Sequence, residues 1–137
     1  MGTVYAEITL KNAGDKVRVQ EGIIKENEIR KITIQALVDT GCGSLVINED
    51  VRKTLGLAIE GSRGARLADG TRQVYQVTEP VQIHWKNRDT ACKAIVLPYA
   101  DDVLLGAIPL EDMDLIVNPA QQELTGAHGD EVLSLVK

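Results

Sequence analysis

The stretch Ala36-Leu37-Val38-Asp39-Thr40-Gly41-Cys42-Gly43-Ser44-Leu45-Val46-Ile47 constrains the chain most, because it sets one carboxylate between two runs of apolar, strand-forming residues. Each run suits a short buried strand, and the insert from Gly41 to Ser44 suits a tight loop between them. Asp39 is therefore expected at the mouth of a core. One reading makes it a turn residue whose carboxylate bonds backbone N–H groups two residues on. The other makes it a reacting group, since burying an ionised carboxyl is costly unless the protein pairs, neutralises or uses it.

The flanking sequence supplies more strands. Ile32, Ile34 and Ala36 share one face of a strand that starts at Lys31 and delivers Asp39. Upstream, Val4, Ala6, Ile8 and Leu10 alternate with Thr3, Tyr5, Glu7, Thr9 and Lys11, and Asn12-Ala13-Gly14-Asp15 should close this strand as a turn. Lys16 to Gln20 repeats the alternation weakly, and Glu21 to Arg30 has the composition of a surface loop. Past Ile47, Asn48 is suited to cap a helix over 49–55, with Glu49 and Asp50 in its first turn and Gly56 as its stop.

Gly56 to Arg66 is glycine-rich and polar, which predicts a connection. Asp69-Gly70 between two alternating arms predicts a hairpin tip. A second hairpin is expected from Val81 to Lys86 and Ala91 to Leu97 around Asn87-Arg88-Asp89. Val103-Leu104-Leu105-Gly106 forms another apolar run ending in glycine, followed by a short helix with Pro109 in its first turn, where a missing N–H does no harm. Leu115 to Val117 suits a strand ended by Asn118-Pro119, and Glu131 to Lys137 is apolar enough for a terminal strand or helix.

The 137 residues are expected to form one domain with a core of Val, Ile, Leu and Ala, since Trp85, Tyr5, Tyr75 and Tyr99 are the only aromatic residues. A net charge of −5, with no basic cluster interleaved with aromatics, argues against nucleic acid or an anionic membrane as partner. The N-terminus lacks the pattern of a secretory signal, and no apolar run reaches the length of a membrane span. A cytoplasmic location is expected, with Cys42 and Cys92 as reduced thiols outside any metal-ligand spacing. His84 and His128 show no catalytic pattern and are read as a strand and a loop residue, and no phosphate cradle is present.

Leu37-Val38-Asp39-Thr40-Gly41 taken with Leu104-Leu105-Gly106 resembles the paired motifs of the retropepsin-like aspartic proteases. The likeness spans residues 3 to about 125 and is closest to small bacterial members. It implies an all-β fold, a closed barrel or sandwich half with one or two short helices, that works as a homodimer, with 125–137 available as an interface tail. It implies Asp39 as the catalytic residue, one from each subunit, without metal or cofactor. Peptide hydrolysis by two carboxylates needs them about 3 Å apart sharing one proton, and this chain has one Asp-Thr-Gly, so a twofold pair would supply the second.

By the same resemblance, Thr40, Gly41, Leu104, Leu105 and Gly106 support the catalytic loop. Gly41, Gly43, Ser44, Ala68, Asp69 and Gly70 contact an extended peptide substrate, the last three from a flap; an ordinary surface hairpin is the other reading of that element. The chain departs from the family at Cys42, at Gly43-Ser44 where many retroviral members carry acidic residues, and at Ala107 where they carry Arg. Aspartic endopeptidase is the leading reading. Its rivals are a homodimeric peptide-binding module without useful catalysis and, less well supported, an Asp-nucleophile phosphotransfer enzyme, which would want an acid where Gly41 stands.

Overall fold

A computed structural model describes residues 3–66 and 69–133 of the chain. It is mostly β. In chain order the elements are β1 (Tyr5–Asn12), α1 (Ala13–Gln20), a 3-10 turn at Glu26–Glu28, β2 (Lys31–Val38), β3 (Leu45–Ile47), α2 (Glu49–Leu55), β4 (Ile59–Arg66) and β5 (Arg72–Thr78). There follow β6 (Val81–Trp85), β7 (Arg88–Cys92), β8 (Ala94–Val96), β9 (Leu104–Leu105), α3 (Ala107–Asp112), β10 (Leu115–Asn118) and β11 (Glu123–Gly126).

The alternation read in β1 holds in the structure: Ala6, Ile8 and Leu10 are buried, while Tyr5, Glu7 and Thr9 face out. The predicted turn after it is instead a helix. Asn12 keeps the inward phase of the strand and is fully buried; its Nδ2 donates to the Leu55 carbonyl at 2.8 Å, and its Oδ1 accepts from the Asp15 amide at 3.1 Å. That second bond is a helix N-cap, so the same residues that suit a turn start α1. Downstream, α2 has the predicted bounds. Asn48 caps the Val51 amide, and Gly56 ends the helix at φ 62°, a left-handed conformation that glycine adopts without strain.

One nine-stranded sheet runs in the order β4-β5-β8-β3-β9-β2-β1-β6-β7, and β10 and β11 form a separate pair. The polar stretch expected to be a plain connection is the strand β4, paired with β5 from Ile59↔Thr78 to Arg66↔Arg72. It was hidden because it buries almost nothing: Glu60 to Gly64 and Arg72 to Val74 are all exposed. The second hairpin turns at Lys86-Asn87, so Arg88 and Asp89 belong to β7. The run Ala91 to Leu97 is split at Lys93, where the chain leaves β6 (Cys92↔Val81) and joins β3 (Ala94↔Leu45).

The central position of the sheet belongs to β9, which lies parallel to β2 and antiparallel to β3. Beneath it the core gathers Ile8, Leu10, Leu45, Ile47, Leu55, Leu57, Ile83, Leu105 and Met113, all nearly or wholly buried. Of the expected terminal element, Glu131 makes one bridge with His128, Val132 and Leu133 lie outside any strand or helix, and 134–137 lie outside the described residues.

Candidate active site

Strand β2 carries its hydrogen bonding one residue past its end, and this fixes where Asp39 sits. Leu37 donates to the Val103 carbonyl at 2.8 Å, Val38 to Val4 at 2.9 Å and Asp39 to Leu105 at 3.0 Å. The chain then turns at once: the Cys42 amide donates to the Asp39 carbonyl at 3.1 Å, and the Gly41 amide to Asp39 Oδ1 at 3.0 Å. The turn-forming role and an available carboxylate therefore coexist. Oδ1 is engaged by the loop, and Oδ2 has no hydrogen-bond donor among the described residues. Asp39 is half-buried at the strand's end instead of lying inside the core.

The second motif meets the first directly. A Cβ on Gly106 would stand 2.6 Å from the Cys42 carbonyl oxygen and 2.7 Å from the Ser44 amide nitrogen, so only glycine lets the two backbones touch. Helix α3 then begins against the loop. Its Ala107 amide donates to the Cys42 carbonyl at 2.7 Å and its Ile108 amide to Gly43 at 3.1 Å. Amides left unpaired by the first helical turn thus tie down the carbonyls of the Asp loop. Leu105 is fully buried below, and Leu104 half-buried beside Leu37 and Val46.

The structure brings Asp39, Thr40, Gly41, Gly43 and Ser44 together with Leu104, Leu105 and Gly106. Thr40 is exposed, and its hydroxyl has no partner among the described residues. The Cys42 thiol is half-exposed and lies 3.5 Å from the Ser44 carbonyl. Beside Asp39 opens a cleft of about 500 Å³ lined by Thr3, Val4, Leu37, Val38, Thr40, Val117, Pro119 and Gln122, in which Asp39 is the only carboxylate among the described residues.

Asp69 and Gly70 stand apart, exposed at the end of the β4–β5 arm, with no hydrogen bond to the Asp loop among the described residues. Asp69 Oδ1 accepts from the Thr71 hydroxyl at 2.6 Å and its amide at 2.9 Å, and the hydroxyl bond holds the carboxyl below its ordinary range. Ala68, the third residue expected on the flap, lies outside the described residues.

Sequence reading missed the groups that brace the far side of α3. Arg88 is buried and donates to the Met113 carbonyl at 3.0 Å, to Asp114 at 2.6 Å and to Gly129. Thr90 donates to Asp112 Oδ2 at 2.6 Å. Asp114 meets His128 Nδ1 at 2.6 Å, a bond that lowers the Asp114 pKa. These partners are far apart in sequence and follow no motif spacing. His84 is a strand residue as expected; burial pushes its pKa down, and Lys11 adds to the effect.

An Asp-Thr-Gly loop, locked beneath by a second apolar-apolar-glycine run at the start of a helix and set in a mostly β body, defines a retropepsin-like aspartic protease. Residues 25–112 match the sequence model of the family described as "gag-polyprotein putative aspartyl protease", and the chain belongs to that family. Among solved structures, the protease of simian foamy virus (mac) is similar with a TM-score of 0.48 at 13% identity, over 78% of this chain and 91% of that one. No curated protein matches.

Proposed function

We propose that the chain is an aspartic endopeptidase whose working unit is a homodimer, with the two Asp39 carboxyls facing each other across a twofold axis. The observation that carries this reading is the half-exposed Asp39, held on one oxygen by Gly41 with the other oxygen unengaged among the described residues, in a loop pinned by Gly106. One such carboxylate cannot both take a proton from water and donate one to the substrate carbonyl. A second copy supplies the complementary group, and one proton shared between like charges leaves one acid and one base. The exposed Thr40 hydroxyl follows Asp39 directly, where it can brace the two loops against each other. The Asp69-Gly70 tip serves as the flap that closes over an extended peptide, and Gly43 and Ser44 border the groove. The proposed location is the cytoplasm, supported by two unpaired cysteines.

The test is Asp39→Asn. It preserves shape while removing base and shared proton, so cleavage of a peptide mixture followed by mass spectrometry between acidic and neutral pH should fall by several orders of magnitude. The rate of the parent should be bell-shaped in pH, as a coupled pair requires. Cleavage by the variant at the parent rate would refute the mechanism. Peptide binding without cleavage by the parent, unchanged by the substitution, would establish a binding module in its place.

A further inference from the structure

A smaller cavity of about 200 Å³ lies where three parts of the molecule meet: Ser44 at the end of the Asp loop, Arg63 on β4, Cys92 and Lys93 where β7 gives way to β8, and Ile108 and Pro109 in the first turn of α3. Its size suits one side chain and falls short of a drug-sized ligand. The walls divide by chemistry. Ile108 and Pro109 give an apolar side, while Arg63 and Lys93 bring two cations to the other. Lys93 is 3.4 Å from Glu60 in a pair that is about half exposed on each side, and Arg63 has no ion-pair partner among the described residues. Arg63, Lys93 and Glu60 sum to one positive charge; Asp112 also lies close enough to Cys92 to act on its thiol, with its Oδ2 taken by the Thr90 hydroxyl at 2.6 Å.

This cavity is tied to the catalytic loop. Ser44 lines it directly, and Ile108, on its opposite wall, donates its amide to the Gly43 carbonyl. Ser44 is five residues past Asp39, with a turn at the start, so the chain between them spans at most about 17 Å. An extended peptide advances about 3.3 Å per residue. A substrate side chain reaching the cavity therefore belongs to a residue within about five positions of the bond at Asp39.

Resting on the endopeptidase reading, we propose that this cavity is a specificity subsite for an acidic side chain, so that preferred substrates carry Asp or Glu within about five residues of the cleaved bond. The carboxylate would take the two N–H groups of the Arg63 fork, a geometry a planar guanidinium offers and an ammonium does not. Lys93 would turn from Glu60 to the incoming group. The methylenes of the substrate side chain would lie against Ile108 and Pro109.

The experiment compares peptide mixtures that differ only in having Glu, Gln or Lys fixed at one position, cleaved by the whole protein and read by mass spectrometry. At one position the parent should cut the Glu peptide about tenfold faster than the Gln peptide, the scale of a charge-assisted hydrogen bond. Arg63→Gln combined with Lys93→Gln should bring that ratio near one, and Arg63→Glu with Lys93→Glu should turn the preference to Lys. Thermal melting of each variant checks that the fold is kept. A parent indifferent to Glu at every position, or a preference unchanged in both double variants, overturns the subsite. Should the parent cut no peptide, the endopeptidase reading fails, and the subsite is decided by binding. Fluorescent Glu and Gln peptides titrated against Asp39→Asn protein would then bind with different affinity if the subsite exists, and equal affinity would overturn it.

Discussion

Gly106 shows how a single missing side chain can hold a site together. Its neighbours within reach of a Cβ are backbone atoms of Cys42 and Ser44, which cannot rotate away as a flexible side chain would. Gly106→Ala should therefore cost about 2 to 3 kcal/mol by overpacking, measured by urea denaturation, and should lower kcat/KM further by displacing the Asp loop. Gly43 is the control, since a Cβ there meets nothing within 4 Å; Gly43→Ala should leave stability within about 0.5 kcal/mol. The roles differ although both glycines border the same loop. In sequence the two were distinguishable only through the resemblance, which put Gly106 under the loop and Gly43 beside the substrate.

Among the elements, α1 was the least legible and is pinned by polar groups. Asp15 has a side chain only 4% exposed, bonded by the Arg30 amide at 3.0 Å, by Arg30 Nε and Nη2 at 2.9 Å each, and by Arg18 at 2.7 Å. The Arg30 side-chain bonds, above all, hold its carboxyl at about 2 against an ordinary 3.8. The folded value lies below the unfolded one, so this stabilisation is complete above about pH 4 and is lost as pH falls toward 2. It amounts to about 2 kcal/mol. Asp15→Asn should lose about that much at neutral pH and flatten the acid limb of the stability profile, measured by urea denaturation from acid to neutral pH. Hydrophobic period could not reveal this helix, because its anchors are Asn12, Asp15 and Arg30. The strand β4 escaped for a related reason: backbone pairing with β5 holds it, with little burial to leave a pattern. By contrast β1, β2, β3 and α2 were readable, since each buries an apolar face or ends in a recognisable cap.

For the whole molecule, the proposed dimer makes concentration a variable of activity. Among the described residues each chain offers one carboxylate to the cleft, so specific activity should fall on dilution below the dimer dissociation constant, in step with the monomer fraction measured by analytical ultracentrifugation; full activity in a demonstrated monomer would refute it. The motif pair and the mostly β architecture were legible because they rest on local patterns. The Arg88 and Asp114 contacts were not, because the topology alone brings those partners together. That topology has a further effect on how the protein is made. β9 occupies the centre of the sheet, between β2 and β3, yet Leu104 leaves the ribosome 65 residues after Asp39. Until Leu104, Leu105 and Gly106 have emerged, the Asp39 loop has nothing beneath it and β2 and β3 lack a shared neighbour, a long-range closure of the kind that slows folding. A nascent or truncated chain that carries the whole Asp-Thr-Gly motif but stops short of Leu104 would remain without a formed Asp loop and, under the proposed function, without the means to cleave a peptide.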